Sequence, residues 1–160
     1  MKHPVLPVTV GIALALACAA APAPAAERFL VPLALENHHP MVHVRINGDA
    51  SPLRFVLDTA AGATVIDTAT VRRLGLEQGD AQAITVNGAA GAAPRIVQTG
   101  EAAWRIGELE VRMSAMHTDL GHLAGKGDGP RIDGILGNDL LRAWDVVFDL
   151  PGGRLELMAP

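Results

Sequence analysis

Along most of the chain apolar and polar residues alternate with a period of two, the spacing of half-buried strands. Phe29, Val31, Leu33 and Leu35 recur within 28–36, and Val42, Val44 and Ile46 alternate with His43 and Arg45. Asn47-Gly48 then gives a hairpin signal, with a loop that runs on through Asp49 to Pro52 before a returning strand, Leu53 to Leu57. After Val65-Ile66, Asp67 reads as the N-cap of a helix over Thr68 to Leu74, closed by Gly75 at C′. Val71 and Leu74 should face inward and Arg72 and Arg73 solvent. Strand spacing returns between Ala83 and Met113, interrupted by the small-residue stretch Asn87 to Pro94 and by a turn at Gly107-Glu108. Asp119 to Arg131 is a polar, glycine-rich connection. A second short helix follows Gly137, with Asn138 read as its N-cap. A final hairpin joins Trp144–Leu150 to Arg154–Met158 around Pro151-Gly152-Gly153. The pattern predicts a mainly β protein with two short helices.

The N-terminus breaks that pattern. Lys2 is followed by a nearly unbroken apolar run from Val5 to Ala21, and Ala23-Pro24-Ala25 supplies small residues for cleavage. Residues 1–25 therefore read as a secretory signal, the run being short for a stable membrane span. Cys18 is the sole cysteine. A lipoprotein signal prefers Leu three residues before the cysteine, where Ala15 stands, so lipid anchoring at Cys18 is the minor alternative to a periplasmic or secreted protein. The remainder, 26–160, is long enough for one domain with a core and too short for two. The net charge of −4 comes without clustered basic residues, giving no footprint for nucleic acid.

The chemistry concentrates in Phe55 to Asp67, FVLDTAAGATVID. An apolar run ends on Asp58, and Thr59, Ala60, Ala61 and Gly62 let the backbone turn and leave space before the carboxylate. A carboxylate there is costly unless hydrogen-bonded. It serves either an Asx turn or a reaction. A second stretch, Ile132 to Trp144 (IDGILGNDLLRAW), repeats the plan of apolar strand, small residue and short helix.

Together the two stretches resemble the retropepsin-like aspartic proteases, in particular their small bacterial periplasmic members. Leu57-Asp58-Thr59-Ala60-Ala61 matches the family's Asp-Thr-Gly-Ala signature, and Ile135-Leu136-Gly137 its companion segment. Ala60 replaces the usual glycine, a change that is tolerable where φ is negative. The resemblance covers about 28–158 and implies an acid-protease closed barrel in which both segments pack into a ψ-shaped loop. It also implies a catalytic Asp58 and a Thr59 that orients it by hydrogen-bonding across a dimer; a strand-end threonine bonded to local backbone is the plainer reading. Gly88, Ala89, Ala90 and Gly91 would form a flap over the peptide, or else a simple hairpin loop. Ala60, Ala61, the flap and Trp104 are the expected substrate contacts. The signature occurs once, and aspartic proteolysis needs two facing carboxylates, so a homodimer would supply two copies of Asp58. No cofactor and no metal is required.

Rival chemistries are weaker. Asp133 precedes Gly134 in a turn-forming pair and is a conceivable second acid. Asp139, in the first turn of a helix, suits the helix dipole. Asp145 and Asp149 flank an apolar strand and should face solvent or pair with arginine. His38, His39, His43, His117 and His122 lack metal-site spacing, His39-Pro40 reading as loop. Ser51 and Ser114 lack a nucleophile-elbow context. The alternative in a different class is a catalytically silent peptide-binding or interaction module of the cell envelope on the same fold.

Overall fold

The structure is a computed structural model that describes residues 27–78, 84–85, 95–123 and 131–160. The expected signal segment with Cys18 and the loop containing Gly88, Ala89, Ala90 and Gly91 lie outside the described residues.

The strands in chain order are β1 (Arg28–Glu36), β2 (His39–Ile46), β3 (Leu53–Leu57), β4 (Val65–Asp67), β5 (Ile84–Thr85), β6 (Arg95–Gln98), β7 (Ala102–Ile106), β8 (Leu109–Met113), β9 (Met116–Thr118), β10 (Gly134–Leu136), β11 (Asp145–Asp149) and β12 (Arg154–Met158). The helices are α1 (Thr68–Leu74) and α2 (Asn138–Leu141). Long strands change partners along their length, which folds the sheet around the core. β1 pairs through Arg28–Pro32 with β12 and through Leu33–Glu36 with β2. β2 in turn meets β3 and then, from Val44 to Ile46, β7. The sheet path runs from β11 to β5 without closing on itself among the described residues. The expected closed barrel is thus corrected to an open, wrapped sheet, because partner exchange bends the strands over the core without joining the two ends.

The alternation seen in the sequence is the alternation of burial. Val42, Val44 and Ile46 are buried, and His43 and Arg45 on the opposite face are exposed. Phe55 and Trp104 meet edge to face in the core, ring centroids 5.7 Å apart, each buried side chain of this kind contributing about 1.5–3 kcal/mol by removal from water.

The helix signals at α1 hold. Asp67 accepts hydrogen bonds from the Ala69 and Thr70 N–H groups, and Gly75 ends the helix at φ +64°. The Gly75 N–H donates to Arg72 O and Leu76 N–H to Val71 O, so the final carbonyls are satisfied. Two local expectations need correction. His39 and Pro40 belong to β2, because Asn37 and His38 form the hairpin turn at φ +49° and +67°, the left-handed pair whose twist suits a two-residue connection. The N-cap of α2 is Gly137, without a side-chain cap bond, and Asn138 is the first helical residue.

Candidate active site

β10 lies between two segments of the same chain, parallel to β3 (Leu136 opposite Leu57) and antiparallel to β4 (Gly134 opposite Ile66). This is the ψ arrangement that the family resemblance implies. Asp58 follows the last residue of β3. Its N–H donates to Leu136 O at 3.0 Å, so β10 holds the backbone that carries the carboxylate. The chain then turns: Ala61 N–H donates to Asp58 O at 3.2 Å, and Ala60 N–H donates to Asp58 Oδ1 at 2.8 Å.

The Asx turn is therefore real, and it occupies only one carboxylate oxygen. Among the described residues no hydrogen bond reaches Asp58 Oδ2, and the residue is half-buried. Turn and chemistry are compatible, since one oxygen fixes orientation and the other stays available. Ala60 is not among the positive-φ residues, so its methyl carries no left-handed penalty in place of glycine. Thr59 and Ala60 are exposed and Ala61 is half-buried. Among the described residues the Thr59 hydroxyl has no hydrogen-bond partner, so the local backbone bond of the plainer reading is not formed here.

Trp104 needs correction as a substrate contact. Only 2% exposed, it packs on Phe55 and donates its indole N–H to Met113 O at 3.1 Å. Its size and single donor suit a core position with one carbonyl in reach.

The turn is fixed from below by residues that sequence reasoning read otherwise or missed. Asn138 N–H donates to Ala61 O at 2.7 Å. Asp139 accepts from the Thr64 N–H at 2.8 Å and from the Thr64 hydroxyl at 2.7 Å, and Thr64 Oγ1 accepts from Gly137 N–H at 3.1 Å. Thr64 is fully buried. Asp139 does lie in the first turn of α2, but its two oxygens act mainly as a clamp on the far side of the ψ. Gly137 is required sterically: a Cβ there would stand 2.5 Å from the Ala63 carbonyl carbon and oxygen.

The other carboxylates are structural. Asp133 accepts from Arg54 N–H at 2.9 Å and from the Thr70 hydroxyl at 3.0 Å. It sits beside Arg54 at the start of β3, while Asp58 follows the end of that strand, about 13 Å away at the usual strand rise. Asp133 is thus not a second acid for Asp58. Asp67, 1% exposed, adds to its cap bonds one from Leu120 N–H at 3.0 Å and an ion pair with Arg131, so its charge is fully partnered. Asp149 pairs with Arg154 at 2.9 Å, and Asp145 is exposed. His117 Nδ1 lies 3.2 Å from the Thr68 hydroxyl, and among the described residues no three His, Cys, Asp or Glu side chains gather as a metal site.

A ψ built from β3, β10 and β4, with an aspartate at the mouth of β3, defines a protein of the acid-protease type. The family model described as aspartyl protease matches residues 42–140, and the chain belongs to that family. Its fold is that of a retropepsin-like aspartic protease from Rickettsia conorii, with a TM-score of 0.54 at 14% identity over 84% of this chain and 94% of that one. The retroviral protease-like domain of Ddi1 from Leishmania major aligns at 16% identity and TM-score 0.49, covering 76% of this chain and 94% of that one. EIAV protease complexed with the inhibitor HBY-793 aligns at 25% identity and TM-score 0.48, covering 66% and 88%. No curated protein matches the sequence.

Proposed function

We propose that this chain is an aspartic endopeptidase whose dyad is made by Asp58 of two copies. The observation that carries the reading is the state of Asp58: held at the end of β3, oriented through Oδ1 by Ala60 N–H, with Oδ2 unpartnered among the described residues. One such group per chain requires a second chain.

Two facing carboxyls share one proton and titrate as a pair. A water held between them gives a proton to the ionised member while its oxygen attacks the peptide carbonyl carbon. The protonated member donates to the carbonyl oxygen, leaving a tetrahedral diol. Return of a proton to the amide nitrogen breaks the C–N bond, releases amine and carboxylic acid, and restores the shared proton. The Thr59 hydroxyl, exposed beside Asp58, would bond across the two-fold axis, and Ala60 and Ala61 would offer the peptide a low rim. The stretch from Gly88 to Gly91 would close over it; its flanking strands β5 and β6 pair antiparallel, as hairpin arms do.

Residues 1–25 would direct export to the periplasm. N-terminal sequencing of the protein recovered from a bacterial envelope fraction should begin just after Ala25, whereas a lipid-modified Cys18 at the terminus would replace export in soluble form by anchoring.

The test of the activity is a peptide-library cleavage assay across acidic to neutral pH, run beside Asp58→Asn. Cleavage lost in the variant supports the dyad. Cleavage retained by the variant overturns it, and binding of peptides without cleavage by the native chain would favour a silent envelope module on this fold.

A further inference from the structure

Away from Asp58, the exposed face of β2 and β7 gathers two arginines and a histidine around a depression. In the β2–β7 ladder Arg45 stands directly opposite Arg105, and like charges so placed repel. His43 lies two residues before Arg45 on the same face. Gly107, which follows β7, and Pro52, which precedes β3, add little bulk to the same surface. Gly107 cannot be otherwise, since at φ +59° a Cβ would meet Leu30 O and stand 2.7 Å from Val31 Cα. The result is a depression of about 360 Å³ lined by Pro32, His43, Arg45, Pro52, Arg105 and Gly107.

No carboxylate is among those lining residues. Arg45 is pre-positioned, one guanidinium nitrogen donating to the carbonyls of Asp49 and Ala50, which leaves its other N–H groups to a ligand. Arg105 reaches Glu110 at 2.5 Å, with both side chains largely exposed, and a pair that exposed contributes little. Two guanidinium groups beside a histidine, walled by prolines, suit an oxyanion, whose oxygens accept paired N–H donors and whose charge offsets the Arg45–Arg105 repulsion.

We propose that this depression on the β2–β7 face binds a phosphate-class oxyanion, free or carried by a lipid headgroup. The assignment does not depend on proteolysis. The test is calorimetric titration of the full chain with inorganic phosphate against sodium chloride at matched ionic strength and neutral pH. Saturable binding of phosphate is expected, weakened at least about tenfold by Arg105→Gln, given the strength of charge-assisted pairs. Arg105 is exposed and its ion pair with Glu110 is at the surface, so that variant should keep the native circular dichroism. The exposed Arg154, on β12, serves as control, and Arg154→Gln should bind as the native chain does. Vesicles of phosphatidylglycerol beside phosphatidylcholine separate the sources: selective retention on the anionic vesicle identifies a headgroup, and phosphate binding without retention a free ion. Heat no greater than chloride gives, undiminished binding by Arg105→Gln, or equal loss in Arg154→Gln would each overturn the site.

Discussion

Asp58 was legible as a residue because a carboxylate closing an apolar run violates the strand pattern, and the structure supplies the reason it persists: Ala60 N–H holds one oxygen and leaves the other available. Asp58→Asn keeps an acceptor for that N–H and is nearly isosteric, so cleavage should vanish while thermal stability stays within about 1 kcal/mol of native, as for a change that preserves the side chain's hydrogen bond to Ala60 N–H. Activity equal to native in the purified variant would remove Asp58 from the mechanism. Ala61 would offer the proposed dyad no side-chain donor. A hydroxyl at that place could bond the ionised carboxylate and favour it, so Ala61→Ser should move the acidic limb of the pH–rate profile to lower pH. An unmoved limb, or one moved upward, would refute this account of Ala61. Trp104 shows where reading single residues fails: a large aromatic with a polar edge fits pocket and core equally in sequence, and only the approach of Phe55 and Met113 O decides for the core.

At the scale of elements, the period-two alternation and the Asp67 and Gly75 caps were readable because each depends on neighbours in sequence. The Asn37-His38 hairpin was not, since neither residue is glycine, yet both take positive φ between the paired strands β1 and β2. The clamp between Thr64 and Asp139 was equally hidden, because it joins the residue before β4 to α2 across a long separation and each partner alone has a routine explanation. Removing it leaves a buried N–H unpaired, so Asp139→Ala should lose roughly 2–4 kcal/mol in chemical denaturation, while Asp139→Asn, which retains one acceptor, loses less than half of that. Equal stability of the alanine variant would make the clamp incidental. A second element reports on pH. Burial on β9 holds the His117 imidazole below its ordinary value of 6.5, Glu77 pulling it back up and Arg72 adding to the depression. A histidine so shifted is protonated more readily in the unfolded chain. Its contribution is therefore complete above 6.5 and is lost as pH falls from there through the lowered folded value. Denaturation midpoints of His117→Gln, which keeps a partner for the Thr68 hydroxyl, should fall less steeply over that window than those of the native chain; parallel curves would contradict the assignment.

The whole molecule is where the proposed function makes its strongest demand. The ψ brings one Asp58 to the mouth of β3, and Asp133, the nearest rival by sequence, is committed at the other end of the strand to Arg54 and Thr70. Under the proposed mechanism the second carboxylate would come from another copy. Among the described residues the open sheet ends at β11, separated from β3 by β12, β1 and β2 in the sheet order, and around it Val147, Phe148 and Leu150 are 45%, 40% and 50% exposed. An unpaired strand edge with apolar side chains is a template for association unless charge or a cover blocks it, and Asp145 and Asp149 at its two ends leave Val146-Val147-Phe148 uncharged between them. Self-association through this edge would follow mass action, so activity per chain should fall on dilution while peptide and protein are kept in fixed ratio. Phe148→Lys places a charge where the second copy would sit, is exposed enough to be tolerated by the fold, and should shift sedimentation toward monomer with activity falling in proportion to the dimer that remains. The two measurements must move together. An active monomer at every concentration would refute the shared dyad, and a Phe148→Lys protein that still dimerises and cleaves as the native chain does would move the interface away from β11.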